Sequence, residues 1–204
     1  MACRDGKFLV MKTLIIFGNA VGGVGTTTTA AHIAEALRLL GYSVHLLDGD
    51  SANRTVSGMC PSATPLDVTN TEELVQLFGG GSFLNIDTIV VDAPANSWSA
   101  FKRFFASQHS DRPQKLGIRV VVGTVIDQSE YSVVGAAEWI QSFPTVVDHL
   151  LVVNSIGTVA KDDTRRHLFH RSLKSRMVRI PQLGSPNVPK LDPHKALSFV
   201  APLA

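Results

Sequence analysis

Cysteine is scarce in this chain of 204 residues, and its scarcity excludes several classes of protein. Cys3 and Cys60 are the only two cysteines; they lie far apart, and neither has a second cysteine or a histidine at metal-ligand spacing. A disulfide framework and the common zinc motifs are therefore excluded, and the pattern is typical of a reducing compartment. We expect a cytoplasmic protein.

Long apolar runs and strong net charge are also missing. No apolar run reaches the roughly 18 residues that a membrane-spanning helix needs. The tail at 191–204 contains Pro193 and Pro202 and a single cation, so it does not form a basic amphipathic membrane helix. The formal net charge of +2 is too small to indicate a nucleic-acid partner by itself. We expect no membrane partner, and any DNA binding must come from a local basic patch.

Short apolar runs rich in β-branched residues alternate with helical patterns. The predicted strands lie at 14–17, 44–47, 88–91, 118–125, 150–153 and 178–180, and the predicted helices at 28–40, 71–78 (capped by Thr71), 98–108, 130–143 and 162–177. This alternation predicts a three-layer α/β domain, with a mostly parallel sheet and helices on both faces. The length suits one domain over 1–204, with a core at 8–183 and a loosely structured tail at 184–204.

A glycine-rich loop follows the first predicted strand. Gly22, Gly23 and Gly25 fall within four residues and lead directly into the first predicted helix. Glycines allow consecutive backbone N–H groups to turn around an anion, and the helix N-terminus adds its dipole. Such turns also occur without ligands, so the loop alone leaves both interpretations open.

Acidic residues end the next two predicted strands. Asp48 and Asp50 follow the second strand, and Asp92 ends the third. Because the carboxyl ends of parallel strands share one edge of the sheet, these acids are expected beside the glycine loop. There Thr27 offers a hydroxyl and Asp92 a carboxylate to a magnesium ion.

These segments resemble the ParA/MinD family of positioning ATPases. The loop GGVGTTTTA at 22–30 is similar to the family's deviant Walker A loop, KGGVGKTTTA. The stretch LDGDSAN at 47–53 stands where the family has DxDPQ, and IVVDAP at 89–94 resembles its Walker B strand. LVVN at 151–154 and IP at 180–181 match later positions, so the resemblance covers roughly 12–181 in order.

The resemblance implies a P-loop NTPase-like fold, ATP or ADP with Mg²⁺ as cofactors, a nucleotide-dependent homodimer and a partner protein. It implies catalytic roles for Asp50, which positions the attacking water, and for Asp48, and it implies that Thr27 and Asp92 serve the metal. The implied nucleotide-binding residues are Gly22, Gly23, Val24, Gly25, Thr26, Thr27, Thr28, Asn154 and Pro181, with Asn154 contacting adenine.

Two departures from the family lie within the loop itself. Val21 and Thr26 stand where the family has its signature lysine and its Walker A lysine. Each loss is expected to weaken nucleotide binding by roughly ten- to a hundredfold. The sequence therefore favours a ParA-like nucleotide-binding protein in plasmid or DNA partition or intracellular positioning, with weak or absent ATP hydrolysis. The alternative is a pseudo-ATPase adaptor that binds a partner protein without using nucleotide.

A basic segment is predicted as the helix at 162–177. Arg166, His170 and Lys174 recur at i, i+4 and i+8, with Arg171 beside them. One interpretation is a solvated face whose long side chains cover apolar surface. The other is a surface that tracks the phosphates of non-specific DNA, as the resemblance to partition ATPases implies.

Overall fold

The computed structural model describes residues 12–80, 85–107, 111–127, 129–143 and 147–154, and the backbone alone of 176–180. The strands are β1 (Thr13–Gly18), β2 (Val44–Asp48), β3 (Thr64–Pro65), β4 (Thr88–Asp92), β5 (Arg119–Ile126), β6 (Asp148–Asn154) and β7 (Arg176–Ile180). The helices are α1 (Thr26–Leu39), α2 (Thr55–Met59), α3 (Thr71–Phe78), α4 (Trp98–Ala106), α5 (Arg112–Lys115) and α6 (Glu130–Gln141), with a 3₁₀ turn at Ala95–Ser97 before α4.

The strands form one sheet in the order β3-β2-β4-β1-β5-β6-β7, and every pairing within it is parallel. β1 lies in the middle, with Ile15 beside Val90 of β4 and Val121 of β5. The parallel α/β sheet predicted from the alternating pattern is confirmed. Because the strands are parallel, their carboxyl ends gather at one edge.

Successive residues of β1 face opposite layers, as the two-residue period of a strand requires. Ile15 and Phe17 pack with the buried face of α1, whereas Leu14 and Ile16 pack with residues of α3, α4 and α6. Helices therefore cover both faces, as predicted. The layer around Leu14 and Ile16 contains a cluster of aromatic rings, in which the Phe101 ring lies edge-on to Trp139 with centroids 5.4 Å apart.

Several predicted boundaries are wrong, for local reasons. Asn70, not Thr71, caps α3, because its side chain accepts the Glu72 N–H at 2.9 Å. The helix predicted at 98–108 ends at Ala106, since Ser107 is already extended, and the helix predicted at 130–143 ends at Gln141. The helix predicted to reach residue 177 cannot do so, because β7 begins at Arg176 and pairs with β6.

Some predictions concern residues outside the described part of the chain. Pro181, the tail at 184–204, and Arg166, His170, Arg171 and Lys174 of the basic segment belong to this group. The interpretations of the basic segment therefore stay predictions. In the parts that the structure describes, no helix combines the length and apolar character needed to span a membrane.

Candidate nucleotide site

A cleft of about 700 Å³ opens at the carboxyl edge of the sheet, beside the ends of β1, β2 and β4. Its lining comes from the glycine loop between β1 and α1, the first residues of α1, and the loops that follow β2 and β4. Asp50, which follows β2, and Asp92, which ends β4, contribute its acidic groups. A cleft thus lies at the sheet edge that was predicted to bind a ligand.

The glycine loop has a backbone that requires glycine. Gly23 and Gly25 lie in the left-handed region, with φ of 80° and 94°. A Cβ on Gly25 would also collide with the Asn154 amide, which donates to the Val24 carbonyl at 2.9 Å. At Gly23 a Cβ would meet nothing within 4 Å. The loop is therefore held from the β6 side at Gly25 and open to the cleft at Gly23.

The first turn of α1 points at the same cleft. The helix begins at Thr26, and Gly25 at its N-cap position has no side chain to accept a hydrogen bond from the first N–H groups. No acidic residue stands in this first turn. By helix geometry these N–H groups lack intrahelical partners, and together with the helix dipole they favour an anion.

Asn19 fixes the loop to the rest of the domain. The residue is 1% exposed, and its side-chain amide donates to the carbonyls of Val125 at 2.7 Å and Ser132 at 2.9 Å. Its oxygen accepts the Val21 N–H at 2.8 Å. Gly135 makes this approach feasible, because a Cβ there would strike the Asn19 oxygen. One buried amide thus joins the loop to β5 and α6.

We expect Asn19→Ala to lower the free energy of unfolding by about 3 kcal/mol, since the hydrogen bonds of a buried amide are lost and their partners stay desolvated. Urea unfolding monitored by circular dichroism measures this change. Gln76→Ala, which shortens an exposed amide side chain on α3, is the matched control and should stay within about 0.5 kcal/mol. If the free energy of unfolding falls equally in both variants, the Asn19 hydrogen bonds do not stabilise the protein more than an exposed side chain does.

Asp48 and Asp50 organise the loop after β2. Asp48 is 1% exposed and accepts from the Asp50 N–H at 3.1 Å and from the Ser57 hydroxyl at 2.6 Å. Asp50 accepts the Asn53 side-chain amide at 2.9 Å. Burial acts to raise the pKa of Asp50, but hydrogen bonds from Asn53 and from the Ala52 backbone outweigh it, so the pKa is lowered. Asp50 therefore stays ionised at the cleft wall.

Asp92 is a buried acid that lines the cleft. It is 3% exposed, and the Thr27 hydroxyl hydrogen-bonds its carboxylate. Burial raises the pKa of Asp92 to about 7; the Thr27 hydrogen bond opposes the rise, and the Asp48 and Asp50 carboxylates add to it. The raised pKa reflects the cost of ionising a buried carboxyl that lies near two other carboxylates.

The charge of the cleft bears on whether a magnesium nucleotide fits it. Asp50 and Asp92 line it, and none of the described lining residues is Lys, Arg or His. Among the described residues no group of three or more His, Cys, Asp or Glu side chains is arranged to hold a metal. Mg²⁺ commonly takes one or two protein oxygens and completes its shell with phosphates and water. Thr27 and Asp92 fit that donor set, so the residues present suit Mg²⁺ together with a phosphate.

The structure brings most of the predicted site residues to one place. Those that line the cleft are Gly22, Gly23, Gly25, Thr26, Thr27, Asp50 and Asp92. Val24 is instead 2% exposed in the core, and the Thr28 carbonyl lies 2.6 Å from the His32 ring. Asp48 and Asn154 do not line the cleft but hydrogen-bond to the backbone of loops that do. Asn19 is a site residue that was not predicted from the sequence.

Comparison with known proteins gives two matches in sequence. The family model of the ATPase MipZ matches residues 13–63, which contain the glycine loop, Asp48 and Asp50. The iron-sulfur cluster carrier protein of Aquifex aeolicus (strain VF5) is 52% identical over 40 residues, covering 20% of this chain and 11% of that protein. The match therefore spans about a tenth of the length of the curated relative.

Comparison with solved structures gives the fold. The MinC:MinD cell division protein complex of Aquifex aeolicus matches at 19% identity with a TM-score of 0.54, over 86% of this chain and 82% of that chain. FlhF complexed with GMPPNP/Mg(2+) matches at 16% identity with a TM-score of 0.50, over 89% and 70%. Against the FtsY receptor of Elizabethkingia anophelis, with a TM-score of 0.47, the chain spans about half of that protein, 51%. The MipZ and carrier-protein matches confirm, over the segments that they cover, the resemblance to ParA/MinD-type ATPases found in the sequence. The MinD match shows the fold alone.

Proposed function

We propose that this chain, a ParA/MinD-type P-loop protein of the positioning-ATPase family, binds a magnesium nucleotide weakly and uses it mainly to control a protein partner. The observation that carries this proposal is a phosphate cradle without a cation. The loop and the α1 N-terminus supply backbone donors, whereas the described cleft lining holds Asp50 and Asp92 and no Lys or Arg. Such a site favours a nucleotide that arrives with Mg²⁺ over the free anion.

Each group at the site has a proposed task. The N–H groups of the loop at 22–25 and of the α1 start bind phosphate oxygens, with Val24 and Thr28 shaping that turn. Thr27 and Asp92 hold the metal's shell, and the metal supplies charge neutralisation when bound. Asp50 orients a water molecule, and Asp48 keeps Asp50 in place through its backbone N–H. Asn154 and Pro181 are proposed to border the base.

The missing lysines bear on turnover more than on binding. Charge develops on the transferred phosphoryl group in the transition state, where a fixed cation contributes most. Thr26 is neutral, and Val21 is partly buried against the core with its N–H bonded to Asn19. We therefore infer that ATP hydrolysis is slow or absent. The loss of both lysines also favours the second candidate, a pseudo-ATPase adaptor that binds its partner without using nucleotide.

Partners are proposed by analogy with the matched MinD, which was solved as a complex with MinC. A protein partner and a nucleotide-dependent homodimer are proposed on this basis, and a role in plasmid or DNA partition is one form of the positioning activity. Binding of non-specific DNA through Arg166, His170, Arg171 and Lys174 is proposed from the basic character of that segment alone.

Calorimetry with ATP and ADP, each with Mg²⁺ or with EDTA, tests the proposal, combined with phosphate release by the wild type and by Asp50→Ala. We expect binding that needs Mg²⁺, and phosphate release no more than slightly above that of Asp50→Ala. Measurable binding with identical release in both proteins selects a nucleotide-bound adaptor. If neither nucleotide binds in Mg²⁺, the nucleotide-dependent proposal is wrong and the second candidate stands.

A further inference from the structure

The described lining of the cleft includes no cation, so the positions of the described Lys and Arg side chains matter. Four of them belong to the opposite, amino edge of the sheet. Arg38 pairs with Glu35 and contacts the Val44 carbonyl at the start of β2, and Arg119 pairs with Asp148 at the starts of β5 and β6. Lys12 contacts the Ile86 carbonyl just before β4, and Lys115 pairs with Asp111 just before β5. These four side chains therefore make their contacts at the edge of the sheet away from the glycine loop.

Arg54 occupies the carboxyl edge instead. It lies between Asn53 and Thr55, and both of these neighbours line the cleft. Arg54 is exposed. Within the described part of the chain, its guanidinium makes no hydrogen bond or ion pair. A flexible side chain rooted at the cleft rim can reach a phosphate group within it.

The backbone holds Arg54 in an unusual conformation. Its φ is 50° and its ψ is 39°, a left-handed geometry that non-glycine residues seldom adopt. The Arg54 N–H donates to the Asp50 carbonyl at 2.9 Å, and its carbonyl accepts the Gly58 N–H at 3.1 Å. Asp48 anchors both ends of this loop through Asp50 and Ser57. A strained residue persists where its surroundings fix it, and such residues gather at functional sites.

We propose that Arg54 supplies the cationic contact to the phosphates of a bound nucleotide that the glycine loop does not provide. The guanidinium presents a planar set of donors suited to phosphate oxygens. Thr26 carries no charge at the position where the family has a lysine, so the cationic contact comes from Arg54, which lies at the rim of the cleft between two lining residues. This inference rests on the proposed nucleotide binding.

Calorimetry with Mg-ATP on the full chain tests the proposal through Arg54→Gln and Arg54→Lys. Both variants keep a long side chain at the left-handed position, so they differ mainly in charge. We expect Arg54→Gln to weaken binding by about ten- to a hundredfold and Arg54→Lys to weaken it less. Lys102→Gln removes an exposed cation from α4, outside the cleft, and should bind as the wild type does.

A double-mutant cycle with Thr26→Lys separates charge from loop structure. If Arg54 provides the missing charge, the loss caused by Arg54→Gln should shrink in the Thr26→Lys background, because the new ammonium takes over the contact. Equal losses in both backgrounds, or equal losses for Gln and Lys at position 54, would overturn the proposal. If the wild type binds Mg-ATP and Arg54→Gln binds it equally well, the proposal for Arg54 is wrong but the proposed function stands. If the wild type binds no nucleotide, both are wrong.

Discussion

Thr26→Lys should raise the affinity for Mg-ATP by about ten- to a hundredfold, measured by calorimetry against the wild type. Thr26 is the first residue of α1 and lines the cleft, so a lysine there projects beside the backbone donors of the loop. The added ammonium would meet phosphate oxygens in a cleft whose described charges are carboxylates. A charge-assisted hydrogen bond in such surroundings is stronger than a neutral one.

A matched control separates this effect from the general gain of one positive charge. Gln76→Lys adds the same charge on the exposed side of α3, outside the cleft. It should leave nucleotide affinity unchanged at about 0.15 M salt, where the Debye length is about 8 Å and distant surface charges are largely screened. If Thr26→Lys gains no more than Gln76→Lys, the loop is not arranged to bind phosphate, and the adaptor without nucleotide becomes the better interpretation.

The parallel sheet could be predicted from the sequence because its signal is local. Each central strand is a short apolar run, and α1 repeats its buried residues Ile33, Ala34 and Leu37 at helical spacing. α2, β3 and α5 were not predicted, since they have only two to five residues and such segments carry no period. Contacts with the rest of the domain determine these short elements. In α2, for example, the Ser57 N–H donates a hydrogen bond to the Asp48 carboxylate.

Among the residues that line the cleft, the sequence pointed to those in the glycine loop and at the strand ends. The glycines, Thr27, Asp50 and Asp92 could be identified because loop and strand-end positions suggest their tasks. Asn19 could not, because its two carbonyl partners lie 106 and 113 positions further along the chain. The role proposed for Arg54 could not be predicted for a related reason, because it depends on which residues line the cleft, and only the fold displays that.

Asp92→Asn should stabilise the nucleotide-free protein at pH 8 by about 2–4 kcal/mol and give little gain near pH 4. Burial raises the pKa of Asp92 from 3.8 to about 7, so ionising it in the folded state is costly. Between these values the folded protein holds a proton that the unfolded chain releases. This group therefore reduces stability progressively as pH rises from about 4 to 7, and its contribution is constant above that range.

The difference between Asp92→Asn and wild-type unfolding free energies, measured in urea at several pH values, isolates this group. His45 and His149, whose pKa values are lowered by burial first of all, contribute equally to both proteins and cancel. Glu138→Gln removes an exposed carboxyl from α6 and is the control. A constant difference across the range from about pH 4 to 8 would mean that Asp92 ionises readily within the fold. Water or hydrogen bonds would then solvate the Asp92 carboxylate in the folded protein, and the raised pKa and the gain in stability expected from Asp92→Asn at pH 8 would have to be given up.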